Sequence, residues 1–280
     1  HAENESLAGY FTQKLKYSGR TDWIDFPDSR PAICELEAVQ RACALAREAG
    51  AQIYFMHLTT ASAAAFLAGR RGEGLSVFGE TCPHYLALTR DVYAREDGEL
   101  YTVVPPLREK EDQRALWRAL GDGTLQCCSS DHVSYTRSEK RRSLVRNEAG
   151  VLQRDFTKIP GGLPGIELRL PVLIQGVFQG LLTWQELVKI NSVQPAEIFG
   201  LQRKGEIACG LDADLVVLRE DTPRKIHGAQ DLHMCCDYTP YTGFCCAAWP
   251  ALVMLRGASV IENGEWTGLA QGQYVKRDSR

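Results

Sequence analysis

Six histidines stand in the chain, at His1, His57, His84, His132, His227 and His233. His57 directly follows the short apolar run Ile53-Tyr54-Phe55-Met56, and Asp131 follows the run Leu125 to Ser129 with only Ser130 between. Short apolar runs of this kind read as buried strands, so both polar side chains project from places where strands end. Neutral imidazole and carboxylate are suitable ligands for a catalytic divalent metal that keeps an open position for water. An Asp beside such a metal can also take a proton as general base and return it as acid. The residue types leave a second reading open, because a lone His after a strand is more often a satisfied polar residue than a ligand.

The elements that must position these groups alternate along the chain. Ser29-Arg30-Pro31 reads as a helix start, with Ser29 as N-cap and Pro31 in the first turn. Ile33, Leu36, Val39, Cys43 and Ala46 then mark one face, and Gly50 ends the helix. After the strand at 53–56, Thr59 or Thr60 caps an Ala-rich helix from Ala61 to about Ala68. A strand at 75–79 leads into Glu80, a helix at 109–120 follows, and the strand at 125–129 leads to Asp131. Two helices are expected at about 166–180 and 183–190, the second with a Thr183/Glu186 capping box, and a further helical turn begins at Pro195. Strand and helix in alternation predict an α/β fold with a parallel sheet, whose active sites form at the carboxyl ends of the strands. From about residue 204 the pattern changes to short strands joined by Gly, Asn and Asp turns, which predicts a small β-rich unit.

Composition narrows the function classes. The 280 residues carry 32 basic and 35 acidic side chains, a net charge of -3, which argues against a dedicated nucleic-acid binder. No run approaches the roughly 18 apolar residues of a membrane span. The ten cysteines include the adjacent pairs Cys127-Cys128, Cys235-Cys236 and Cys245-Cys246 but no C-x-x-C, and they read as small buried hydrophobes in a reducing, cytoplasmic setting. The polar tail from Gly272 to Arg280 reads as a solvated terminus.

Several segments resemble one known family. His1-Ala2-Glu3-Asn4, YFMHLTTASA (54–63), GETCPHYLALT (79–89), VVPPLREK (103–110) and SSDH (129–132) are similar to the cyclic amidohydrolases. DFTKIPGGLPGIELRLPVL (155–173), PAEIFGL, KGEIACGLDADLVVL and the closing GQYVKR resemble the dihydropyrimidinase and D-hydantoinase branch. The resemblance runs from the first residues to the last, and the ordered set is far more specific than any one motif.

That resemblance implies the later part of a (β/α)8 TIM-type barrel over residues 1–203, with a small β-rich, sandwich-like accessory domain over 204–280. It implies two divalent metal ions, usually zinc. His1 and His57 match the two histidines of the second metal, and Asp131 matches the carboxylate that touches the first metal and moves the proton. The implied reaction is hydrolysis of the ring amide of a cyclic ureide, a dihydropyrimidine or a 5-substituted hydantoin, to an N-carbamoyl amino acid. A hydroxide bridging the metals attacks the ring carbonyl, and Asp131 shuttles the proton. Backbone groups at Val104 and Gly161 match the substrate contacts, although family members often carry Ser or Cys at the first position and Asn at the second. His84 and His132 are expected to support the site from behind, and His227 and His233 to be surface or packing residues. The family's His-x-His pair, carboxylated Lys and substrate-binding Tyr have no counterpart here and are expected upstream of His1, as in an excerpt of a longer protein. The CPHYL motif keeps allantoinase, and more distantly dihydroorotase, as alternatives. A non-catalytic scaffold relative is a further one, disfavoured because His1, His57 and Asp131 are in place. The resemblance also implies a homo-oligomer, often a tetramer, acting on a small molecule.

Overall fold

The structure is a computed structural model describing residues 1–146, 148–221 and 223–277, so Asp278, Ser279 and Arg280 of the tail lie outside the described residues. The tail residues before them, 272–277, are exposed. The chain forms two compact units, His1–Arg169 with His227–Thr242, and Leu170–Ile226 with Gly243–Arg280.

The first unit begins with α1 (Glu5–Tyr17), which the sequence reading did not anticipate; Asn4 caps it by accepting a hydrogen bond from the Leu7 amide at 3.1 Å. A 3-10 turn (Trp23–Ser29) precedes α2 (Ala32–Ala49). The expected Ser29 cap is corrected by the structure. Ser29 Oγ donates to the Phe26 carbonyl at 2.6 Å inside the 3-10 turn, and Pro31, extended at φ -61° and ψ 162°, stands at the cap position. A buried hydroxyl takes the nearest free carbonyl, here one behind it in the chain. Gly50 closes α2 in the left-handed conformation, φ 60°, as its lack of a Cβ permits.

Next come β1 (Ile53–Phe55), α3 (Ala61–Gly72), β2 (Val77–Thr81), α4 (Pro83–Ala87), α5 (Lys110–Gly121) and β3 (Cys127–Cys128). The strands pair in parallel in the order β1-β2-β3, with Phe55 opposite Gly79 and Thr81 opposite Cys128. Helices supply the long crossovers that parallel pairing requires. Gly79 shows how tightly this packs. A Cβ there would meet methyl groups of Leu58, Leu125 and Leu67 at 3.0, 3.1 and 3.2 Å, so the missing side chain lets α3 lie on the sheet. Leu58, Leu67 and Leu125 are themselves fully buried. The α/β alternation read from the sequence is therefore present. Among the described residues the parallel sheet has three strands and does not close. Beyond it lies the short helix α6 (Arg137–Arg141).

The second unit opens on α7 (Arg169–Phe178) and α8 (Trp184–Val188), whose Thr183/Glu186 capping box forms as read. The expected end at Ile190 is overrun. The backbone stays helical through a π turn (Lys189–Val193) into α9 (Gln194–Phe199), and Gly200 at φ 69° stops it. Strands follow as β4 (Leu215–Arg219), β5 (Arg224–Lys225), β6 (Cys245–Cys246), β7 (Trp249–Leu255), β8 (Ala258–Glu262) and β9 (Glu265–Trp266). Four make an antiparallel sheet in the order β4-β7-β8-β9. Its last two hairpins turn on Arg256-Gly257 and Asn263-Gly264, with all four residues at positive φ, as two-residue turns demand. The described strands after residue 204 lie between Leu215 and Trp266.

All ten cysteines are free. Six are buried as expected and Cys236 is half-buried, whereas Cys209, Cys235 and Cys245 are exposed. Among the described residues no helix is long and apolar enough to cross a membrane.

Candidate active site

The carboxyl ends of β1 and β3 carry the unusual backbone of the first unit. His57 sits at φ 38° and Asp131 at φ 41°. A non-glycine residue in the left-handed region costs about 1–3 kcal/mol and persists only where the surroundings hold it. Here both strained residues are those the sequence singled out, and the strain bends the chain sharply where each strand ends.

What holds His57 in place is visible on its C-terminal side. Glu35, fully buried in α2, accepts hydrogen bonds from Thr59 N (3.0 Å), Thr59 Oγ1 (2.7 Å), Thr60 N (3.0 Å) and Thr60 Oγ1 (2.6 Å). Arg108 Nε donates to Thr59 Oγ1 at 2.9 Å, and another of its nitrogens binds the Arg30 carbonyl. Arg30 in turn pairs with Glu3 at 2.8 Å. Thr60 Oγ1 also caps α3, accepting from Ala63 N at 3.2 Å. Removing the Glu35 carboxylate would leave four buried donors without their acceptor. We expect Glu35→Ala to destabilise the folded protein by about 3 kcal/mol in urea unfolding; a loss below about 1 kcal/mol would show that water replaces the carboxylate.

His57 is buried and His1 exposed, and His1 Nδ1 lies 2.5 Å from His57 Nε2, with ring centroids 4.6 Å apart. The two rings thus turn one nitrogen each toward the other. Burial holds the His57 imidazole below its ordinary pKa, against the opposite pull of the Asp131 carboxylate. Neutral imidazole is the ligand form. His84 is buried in the same electrostatic neighbourhood. Burial, with His57 adding to it, pushes its pKa down to about 3, and its Nε2 has no hydrogen-bond partner among the described residues. His132 turns elsewhere, its Nδ1 accepting from the Gly165 and Ile166 amides at 3.0 and 3.4 Å, which fixes the proton on Nε2. The His227 amide donates to Asp231, and His233 meets Glu167, 66 residues before it, through its amide and its ring.

Glu80, at the end of β2, ties the three strands together. It accepts from Tyr54 Oη and from Ser129 Oγ, each at 2.6 Å. Val104 and Gly161 are brought against each other, since a Cβ on Gly161 would lie 2.6 Å from Val104 Cγ2 and 3.3 Å from Val104 N. Among the described residues no group of three or more His, Cys, Asp or Glu side chains stands ready to hold a metal ion. The structure thus pairs the two imidazoles without drawing Asp131 into a complete ligand set with them. The supporting residues Glu35 and Arg108 were missed by the sequence reading. Glu35 reads as an ordinary acid in a helix first turn, and its partners lie 24 and 25 residues away.

Comparison with known proteins bears on the same residues. The sequence profile of the Amidohydrolase family matches residues 1–260. The D-hydantoinase of Geobacillus stearothermophilus is 40% identical over 282 residues, covering 99% of this chain and 58% of that protein. The crystal structure of D-hydantoinase from Bacillus sp. AR9 superposes with a TM-score of 0.91 at 40% identity, over 99% of this chain and 59% of that one. Dihydropyrimidinase from Brevibacillus agri NCHU1002 gives 0.88 at 39% identity, over 95% and 57%. The chain therefore spans somewhat under two thirds of the length of the relatives it matches. With a family match reaching from His1 past β7 and both strained residues inside it, the chain belongs to the amidohydrolase family.

Proposed function

We propose that the protein hydrolyses the ring amide of a cyclic ureide, a hydantoin or dihydropyrimidine, to an N-carbamoyl amino acid. The observation that carries the reading is the pair of strained residues, His57 and Asp131, at the ends of the two strands that flank β2, with His1 Nδ1 2.5 Å from His57 Nε2. The names and the likeness of the relatives support the substrate class. The residues present fit part of a metal centre: two convergent imidazole nitrogens, one of them on the buried His57 ring, whose pKa burial lowers. On this reading His1, His57 and Asp131 hold divalent metal, zinc by the donor set, in a two-metal site. The chain spans 58% of the Geobacillus stearothermophilus enzyme, and the resemblance implies that the His-x-His pair and carboxylated Lys of the first metal site lie in the rest. When bound, the ions supply an activated water and polarise the ring carbonyl.

The chain's own groups do the rest. Asp131 accepts the proton of the attacking water and returns it to the leaving ring nitrogen. The Val104 and Gly161 backbones, set so close that a Cβ on Gly161 would meet the Val104 side chain, orient the planar ring. His84 and His132 hold the surrounding loops, His132 through the 165–166 amides. By the same kinship, residues 1–203 are the carboxyl-side portion of a (β/α)8 barrel and 204–280 its β-rich domain. A cytoplasmic homo-oligomer, tetrameric as in the family, completes the proposal.

The test is a substrate panel on the full-length protein: dihydrouracil, hydantoin, 5-substituted hydantoins and allantoin. We expect turnover of the first three, abolished by chelation and restored by zinc. Activity confined to allantoin, or fewer than one bound divalent ion per chain with no turnover, would overturn the reading in favour of an allantoinase or a scaffold.

A further inference from the structure

Lys140, in α6, has no exposed surface, and among the described residues its ammonium has no carboxylate within ion-pair distance. Its three protons go to Thr102 O (2.7 Å), Thr102 Oγ1 (3.0 Å) and Pro160 O (2.9 Å), all uncharged acceptors. Glu99, whose charge acts on Lys140, is taken by Arg141, whose Nε and Nη2 approach one carboxylate oxygen at 2.8 and 2.5 Å. Burial pushes the Lys140 pKa down to about 7, with Glu99 opposing. A cation is an expensive way to fill space inside a protein, and a Met of similar length would fill it without desolvating a charge.

The acceptors show what the cation does instead. Thr102 stands two residues before Val104, and Pro160 directly before Gly161. The same carbonyl of Thr102 accepts from Gly162 N at 3.0 Å, while Thr102 Oγ1 donates to the Glu99 carbonyl at 2.9 Å with Pro160 O farther off at 3.4 Å. We propose that Lys140 is a positioning residue that clamps the 102–104 and 160–162 segments together and so sets the width of the cleft their backbones present to substrate. The inference rests on the reading of Val104 and Gly161 as substrate contacts.

Lys140→Met, which keeps the stem and removes the donors, is compared with the wild type in the full-length, metal-loaded protein. Two readouts are taken: KM and kcat on hydantoin, and amide hydrogen exchange. Loss of a cleft that grips ground state and transition state alike should raise KM about tenfold and leave kcat within about threefold. Exchange should accelerate about tenfold or more in 100–106 and 158–163 and stay unchanged in β2 and α5. Unchanged exchange in those two segments overturns the clamp. Acceleration spread evenly over the unit, or faster exchange at unchanged KM, overturns the positioning role. Lys140→Gln, which retains one short donor, should fall between the two and serves if the Met variant does not fold. A wild type without hydantoin turnover sinks the function reading, and the exchange comparison alone then decides the clamp.

Discussion

Asp131→Asn should lower kcat by about 10²–10⁴-fold in the metal-loaded protein while most of the bound divalent ion is retained. The substitution keeps size and a ligating oxygen and removes only the ability to hold a proton. The backbone makes it an unusually clean change. Asp131 sits at φ 41°, a region where Asn and Asp are the best tolerated residues after glycine. Asn should therefore occupy the turn without new strain, whereas Asp131→Ala would add a backbone penalty to the lost carboxylate. Steady-state kinetics with metal content measured on the same samples checks this. A kcat within about threefold of wild type, with metal bound, would end the proton-transfer role, since the positioned acid-base step is worth far more than that.

The same turn shows where sequence was and was not enough. The apolar runs before His57 and Asp131 announce β1 and β3, and with them the strand ends where the site lies. Periodicity also locates α2, α3 and α5. The left-handed conformations at His57 and Asp131 carry no signal in composition, because neither is Gly; at His57 the tertiary bonds of Glu35 to Thr59 and Thr60 brace the turn. Long-range contacts of this kind have no periodic signature. Lys140 is the sharpest case. In the charged stretch RSEKRR it reads as one more solvated cation, yet it is wholly buried, because α6 is laid against segments 38 and 20 residues away. The Ser29 misassignment has a local cause: two carbonyl-rich turns abut there, and a hydroxyl can cap forward or bond backward.

Gly161→Asn should impair the protein strongly, and Val104→Ser should largely repair it. The resembling family often carries Asn and Ser at these two places, so each residue here departs from that pattern. The structure couples the departures. Any Cβ on Gly161 lands 2.6 Å from Val104 Cγ2, inside the closest separation that carbon atoms adopt. Val is stiff about its first torsion, so it cannot rotate the methyl away cheaply, and the Val104 backbone N stands 3.3 Å from the same Cβ. A side chain on Gly161 must therefore push the two segments apart at the cleft. We expect Gly161→Asn to raise KM for hydantoin by about 10–100-fold, the scale of a 1–3 kcal/mol overpacking strain. Ser at 104 presents one γ atom rather than two and can turn it aside, so Val104→Ser/Gly161→Asn should recover at least about tenfold of the loss. Gly161→Ala isolates the steric part, since it adds the Cβ and no polar group. A double-mutant cycle on KM measures the coupling. Additive effects of the two substitutions would show that the clash relaxes elsewhere and that the pair does not shape the cleft.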